Sequence, residues 1–317
     1  MSYWLSAQQS IHFVPEIYSR EFSSKRAPVL KIRPGDTVSA TSVDALGIDQ
    51  FGARVTDRGN PLTGPFFIEG AEPGDVLAVK LVDVSLNRDF ATTLNVLIPK
   101  VLPKSTAKKT WRAGKGIRWH LDLDSLKGSP VDTGSHLRNL VIPLHPFLGC
   151  IGVAPAGNKS ASTGESGSYG GNLDLCYNTT GATIYLPVSH PGALLYLGDG
   201  HAAQGDGELN GDALETSMNF CFTVRVLKKN NFPLQTPMVE TADHLMFFGI
   251  ASSLEKSLKA ATGFLSEWLE TKYQLSQVEI SQVIGPAVQY RIPKIAATQV
   301  EVVALIPKKI LQQMERK

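Results

Sequence analysis

Three strands of this chain open on the same kind of turn, and that repetition restricts the fold more than any other feature. Pro34-Gly35-Asp36 leads by alternation to Val43-Asp44, and Pro73-Gly74-Asp75 leads in the same way to Val82-Asp83. Pro191-Gly192 opens a third such strand, which ends at Gly198-Asp199. Proline presets the first corner of a turn, glycine supplies positive φ, and aspartate bonds its own backbone nearby. Turns of this kind, joined by period-two alternation, read as β-structure. Two readings of the repeat stay open. The first is shared hairpin grammar, which starts a strand in any sheet. The second is that several ribbons bring their ends together, so that Asp44 meets Asp199.

Alternation or apolar runs predict further strands at 29–32, 66–68, 94–102, 118–123, 183–187, 194–197 and 300–306. The strongest is 218–227, with Phe220, Phe222, Val224 and Val226 on one face. Residues 104–115 read as a loop, and the Gly/Ser/Thr-rich stretch 158–171 as a long loop of the kind used for lids or binding. The pattern changes after Pro237. Leu254, Leu258, Ala261, Leu265, Trp268 and Leu269 recur at helical spacing, behind a capping box of Ser252 and Glu255. A second box, Ser276 with Glu279, opens a shorter helix that stops at Gly285. The expected fold is mainly β, an antiparallel sandwich or barrel-like body with an α+β C-terminal part. Its expected divisions are 1–140, an N-terminal β-rich domain; 141–236, a central β region carrying polar site loops; and 237–317, an α+β segment packing on the β body.

The 317 residues suffice for a sizeable core. A net charge of +2 without a basic block argues against nucleic acid as partner. No apolar run approaches the roughly 20 residues of a membrane helix, and the first residues lack a signal-peptide layout. Cys150, Cys176 and Cys221, with no C-x-x-C, read as reduced thiols of a cytoplasmic protein.

Polar chemistry concentrates in residues 197–208, L-G-D-G-H-A-A-Q-G-D-G-E. Asp199 and His201 form one pair two residues apart, and Asp206 and Glu208 form another. In extended backbone each pair points to one face, and four glycines leave room beside it. The competing reading is a polar Gly-rich turn. The apolar strand 194–197, which delivers the cluster from a core, favours a site. Asn172 and Asp174, in G-G-N-L-D, form a similar pair or else a lone turn. His145 stands between two prolines in V-I-P-L-H-P-F-L-G-C-I-G-V-A-P, where a packed histidine is the ordinary outcome. Gly149 and Gly152 open space near it.

Four motifs together carry a resemblance. Residues 61–77 (P-L-T-G-P-F-F-I-E-G-A-E-P-G-D-V-L), 145–155 (H-P-F-L-G-C-I-G-V-A-P), 170–174 (G-G-N-L-D) and 191–208 (P-G-A-L-L-Y-L-G-D-G-H-A-A-Q-G-D-G-E) resemble the acetamidase/formamidase family, in order, over about residues 28–272. Residues 11–26 and 285–317 fit that pattern loosely. The resemblance implies a β-rich homo-oligomer, a homodimer or larger. It further implies association with zinc or calcium and release of ammonia from a short aliphatic amide such as formamide or acetamide.

The expected chemistry is hydrolysis by metal-activated water. Asp44, Asp174, Asp199 and His201 are the expected metal ligands, with His145 next. A mixed histidine/carboxylate set suits zinc, and an all-oxygen set suits calcium. Glu208 is the expected proton shuttle, with Glu215 and Glu69 behind it, and Asn172 orients the amide. Two alternatives compete. One is a non-catalytic β-module with a structural calcium site. The other is a cysteine hydrolase using Cys150 near His145.

Overall fold

The repeated turn keeps its chemistry in three dimensions. Asp36 Oδ2 accepts the Arg33 amide at 2.9 Å, and Asp75 Oδ2 accepts the Glu72 amide at 3.0 Å, so each aspartate clamps its own turn. The strands they launch, Thr37–Thr41 and Val76–Leu86, flank strand Met218–Leu227 within one sheet. The third strand, Leu195–His201, lies in a different sheet. Shared turn grammar therefore explains the repeat. Asp44 and Asp199 do not bond each other: Asp44 pairs with Arg88, and Asp199 with His201 and Asn60.

The computed structural model describes residues 8–110, 115–131, 135–229 and 234–314. Among these, the strands form a nine-stranded, a twelve-stranded and a two-stranded sheet, paired mostly antiparallel. The main core lies between the two larger sheets. Phe220, Phe222 and Val224 of one meet Phe66, Leu148, Leu195 and Leu197 of the other. The alternation read from 218–227 is thus the inner face of a sandwich. A second core, with Phe247 and Ala304 against Ala261, Leu265 and Leu269, joins the other face of the nine-stranded sheet to the helices. The result is mainly β with helices concentrated near the C-terminus. The divisions at 140 and 236 fall inside shared sheets. Strands from all three stretches, such as Val76–Leu86, Thr183–Pro187 and Met238–Glu240, are neighbours in one sheet.

Helix Leu254–Tyr273 starts one residue later than the capping pattern predicts. Ser253, not Ser252, is the cap, and its hydroxyl accepts the Lys256 amide. The buried stripe is Ser257, Ala261, Leu265 and Leu269, while Leu254 and Leu258 face solvent. The stripe packs where Gly249 lets the helix backbone touch the strand: a Cβ at Gly249 would strike the Ser257 carbonyl. The second box is present, but helix Gln277–Ala287 runs past Gly285 and contains Pro286. Residues 94–102 are not a strand. Strand Phe90–Leu94 ends there, and Pro99–Val101 is a 3-10 turn. The loop expected at 104–115 contains helix Lys104–Thr110; residues 111–114 lie outside the described residues. The stretch 158–171 is tacked down rather than free. It contributes short strands, and its Ser166 hydroxyl donates to Glu301 Oε1 at 2.6 Å.

The site depends on one strand. Leu195–His201 runs through the twelve-stranded sheet between Leu62–Ile68, Phe147–Gly152 and Glu215–Thr216. Its register places His201 opposite both Phe147 and Glu215.

Candidate active site

Asp199 and His201 reach one spot, as two residues of a strand should. His201 Nε2 lies 3.5 Å from Asp199 Oδ2 and 3.3 Å from Glu215 Oε1 on the neighbouring strand. Asp174 joins from the turn after strand Gly170–Asn172. Ligand atoms of Asp174, Asp199 and His201 lie within 4.8 Å of one another, and so do those of His201, Glu208 and Glu215. All five residues are buried.

The floor beneath this group is Gly149. A Cβ there would sit 2.7 Å from His201 Cε1, 2.8 Å from Asp174 Oδ1 and 2.9 Å from Asp199 Oδ2. The room that Gly149 opens therefore serves this cluster and not His145. Replacing Gly149 with alanine should force the three groups apart, cost about 1–3 kcal/mol by overpacking, and lower activity far more than that stability loss explains. Thermal unfolding and turnover, measured on the same variant, check this.

The backbone is unusual at the same place. Asn60 (φ 49°), Asp174 (45°), Asp199 (60°) and Glu208 (50°) all adopt the left-handed region, and they are half of the eight described non-glycine residues that do. Asparagine and aspartate tolerate this region, but glutamate does so at a cost. Strain concentrated at one cluster of acids is characteristic of functional sites.

Two residues not anticipated from the sequence complete the group. Lys294, 1% exposed, holds its ammonium 3.0 Å from Asp174 Oδ2 and 3.4 Å from Glu301 Oε1, and also donates to the Asn172 carbonyl. Asn60 Nδ2 donates to Asp199 Oδ2 at 3.1 Å and to Asn172 Oδ1 at 3.3 Å. Asn172 Nδ2 in turn donates to Asp174 Oδ2 at 2.9 Å. A continuous belt thus runs from Asp199 through both asparagines to Asp174 and Lys294. The segment bearing Lys294 is tied to the glycine-rich loop. Ile295 N donates to the Gly207 carbonyl at 3.0 Å, and Gln204 Nε2 bridges the Asp174 and Pro293 carbonyls.

Charge in this dry setting is unbalanced. Among the described residues, Asp174, Asp199, Glu208, Glu215 and Glu301 have two cationic side chains against them, Lys294 and His201. Burial pushes Glu208 well above the ordinary carboxylate range, and nearby Asp174 adds to it. Burial pushes Glu215 up to about 7 although His201 pulls the other way. Burial also raises Asp174, and lifts Glu301 to about 7 and Asp212 to about 6. Burial works against the His201 imidazolium, but Glu215 and Asp199 outweigh it and hold His201 well above its usual value. Burial likewise opposes the Lys294 charge, and Asp174 and Glu301 overcome it, keeping the ammonium protonated.

Asp44, expected among the ligands, does not join the cluster. Its Oδ2 lies 2.6 Å from Arg88 Nη2, and its Oδ1 accepts the Leu46 and Ile48 amides at 2.9 Å. That carboxylate is saturated. Arg88 also bonds Thr216 Oγ1 and the Asp49 carbonyl, so the pair braces the segment beside Glu215. His145 is exposed on the wall of a cleft of about 510 Å3 that also reaches Glu208 and Asp212, but it is not among the grouped ligand atoms. Glu69 is exposed away from the cluster. The pair Asp206/Glu208 diverges because it sits in a turn: Asp206 faces Arg291 at 3.4 Å, and only Glu208 turns inward. Cys150 is fully buried, its thiol donates to the Thr163 carbonyl at 3.3 Å, and burial pushes that thiol well up. It has neither the exposure nor the thiolate character of a nucleophile. The three cysteines are all free.

Above the cluster lies a cavity of about 240 Å3. Its polar wall is Asn60, Asn172, Glu208, Asp212, Glu215 and Lys294. A larger cleft, about 980 Å3, crosses the outer face of the nine-stranded sheet near Lys80 and Arg225 but touches none of these residues. Chemistry therefore selects the smaller cavity over the larger.

The fold and site define a class: a two-sheet β-protein with a buried acid–imidazole–lysine cluster under a small polar pocket. The chain belongs to the acetamidase/formamidase family, which it matches over residues 27–167 and 156–272. It is 24% identical over 287 residues to a formamidase of Methylophilus methylotrophus, covering 70% of this chain and 69% of that one. To an acetamidase of Mycolicibacterium smegmatis it is 28% identical over 197 residues, 47% of this chain and 48% of that one. The chain spans from about half to about two thirds of the length of the curated relatives it matches. A crystal structure of a predicted acetamidase/formamidase from Thermoanaerobacter tengcongensis superposes with a TM-score of 0.84 at 26% identity, covering 98% of this chain and 100% of that one.

Proposed function

We propose that this chain is an amidase that hydrolyses a short primary amide to its carboxylic acid and ammonia. The observation that carries the reading is the small cavity, walled by carboxamide and carboxyl groups, directly above a buried cluster with spare ligand atoms. At about 240 Å3 it falls below the roughly 300 Å3 at which pockets for drug-sized ligands begin. Formamide and acetamide suit that size.

A divalent cation fits the donor set. Asp174 Oδ1, Asp199 Oδ1, His201 Nδ1 and Glu215 Oε2 are buried without partners. His201 presents Nε2 to carboxylates and leaves Nδ1 spare, the arrangement of a ligating histidine held by its outer nitrogen. Asp174, Asp199 and His201 would hold the ion, with Glu215 beside them. Zinc suits the mixed donors, with calcium as the alternative. When bound, the ion polarises the amide carbonyl and acidifies the attacking water.

The chain's own groups do the rest. Glu208 takes a proton from water as the new C–O bond forms, then delivers it to the nitrogen as the C–N bond breaks. Asn172 is committed to Asn60 and Asp174, so it holds Asp174 in place, and Asn60 is better set to orient the substrate. Lys294 opposes the burial that raises Asp174. The Arg88–Asp44 pair steadies the strand that carries Glu215. Assembly as a homo-oligomer belongs to the same reading, and light scattering checks it. Ammonia and acid appearing in equal amounts from formamide or acetamide test the proposal; a protein that binds a cation yet releases neither would be the calcium-bearing β-module instead.

A further inference from the structure

We infer that Ile98 sets the length of acyl chain this site accepts. The inference rests on the amidase reading and adds a specificity determinant to it. The residues that line the cavity are of two kinds. One is the polar set already described. The other is Ile98, Gly164, Gly211, Ala296 and Ala297. Ile98 is the one side chain of that second set larger than a methyl group.

A primary amide has the same two-sided character. Its carboxamide seeks hydrogen-bonding groups, and its alkyl chain seeks apolar surface. With the carboxamide at Asn60, the alkyl chain is left to Ile98 and its small neighbours. Ile98 is well placed to act as a stop. Its amide donates to the Leu209 carbonyl at 2.8 Å, which fixes its backbone to the loop following Glu208. Its Cγ2 lies against Gly211, where an added Cβ would approach to 3.3 Å. Lys100 Nζ donates to the Ala297 carbonyl at 3.5 Å, joining the segment after Ile98 to the segment bearing Ala296 and Ala297. The stop is therefore held by its backbone and backed by its neighbours, while the side chain is only half-buried. Changing it alters pocket depth without opening the core.

The test is a matrix of kcat/KM values. Wild type, Ile98→Ala, Ile98→Val and Ile98→Phe are each assayed with formamide, acetamide, propionamide and butyramide. One methylene in an apolar pocket is worth about 10–200-fold in discrimination. Ile98→Ala should raise the propionamide-to-acetamide ratio by at least about 10-fold. Ile98→Val should move it the same way by less, and Ile98→Phe should shift preference toward formamide. Ratios unchanged within about twofold in active variants would overturn the assignment while leaving the amidase reading intact. If wild type releases no ammonia from any amide, that reading fails separately. The size step is then read from the protection each amide gives against thermal unfolding, and it must still lengthen from wild type to Ile98→Ala or the assignment falls too.

Discussion

Glu208→Gln should lower kcat for amide hydrolysis by about 10²–10⁴-fold, the usual worth of a positioned general acid–base group. Glutamine keeps the size and the inward turn of the side chain but can neither take nor deliver the proton. KM should change little, because the group acts on proton transfer more than on ground-state binding. The pH profile gives a second readout. Burial and Asp174 raise the Glu208 carboxyl well above the ordinary range, so the ionised form accumulates only as pH rises past that raised value. Wild-type activity should therefore climb with pH on its acidic side, and that limb should vanish in the variant. Steady-state kinetics across pH check both. Activity within a few-fold of wild type would remove Glu208 from the mechanism.

Lys294→Met should produce the largest loss of stability, about 3–5 kcal/mol, as expected when one partner of a buried ion pair is removed. Glu301 would lose its ion partner, and Asp174 would keep only His201 nearby, with both carboxyls still buried. The loss should depend on pH. Burial lifts Glu301 from its ordinary 4.5 to about 7 in the fold, and it also raises Asp174. An acid raised by folding favours the fold below its unfolded value, and that contribution disappears as pH climbs through the folded value. Without the lysine these carboxyls rise further, so the deficit grows between about pH 4.5 and values above 7. Urea unfolding at pH 5 and pH 8 checks the sign: the midpoint of the variant should fall further below wild type at pH 8. Equal deficits at both would mean that Lys294 acts through packing alone.

What was legible in the sequence was whatever local periodicity encodes. Phe220, Phe222 and Val224 announce a sandwich face because a strand alternates. Asp199 and His201 announce a shared point because they stand two apart. Asp206 and Glu208 have the same spacing and diverge, since spacing carries that meaning only in extended backbone and theirs is a turn. Asp44 shows the limit more sharply. Its partner, Arg88, lies 44 residues away, and nothing near Asp44 distinguishes a saturated carboxylate from a ligand. Asn60 and Lys294 were missed for the same reason, being brought in from distant segments. Lys294 did leave a sign: in I-P-K-I-A-A it is the only charge in an apolar stretch, and a lysine drawn into such a stretch needs a buried carboxylate. It also lies beyond residue 272, where the match to the family ends. The capping serine slipped by one because Ser252 and Ser253 are adjacent, and only backbone geometry chooses between them.

The most direct test of the account is ammonia release from formamide and acetamide by one preparation, as purified, after chelation, and after zinc is restored. Release that falls on chelation and returns with zinc is the predicted result. Return should come with proton release, because ligating side chains must be deprotonated. Release indifferent to chelation would contradict the cation at Asp174, Asp199 and His201, and no ammonia from either amide in any of the three states would contradict the amidase itself.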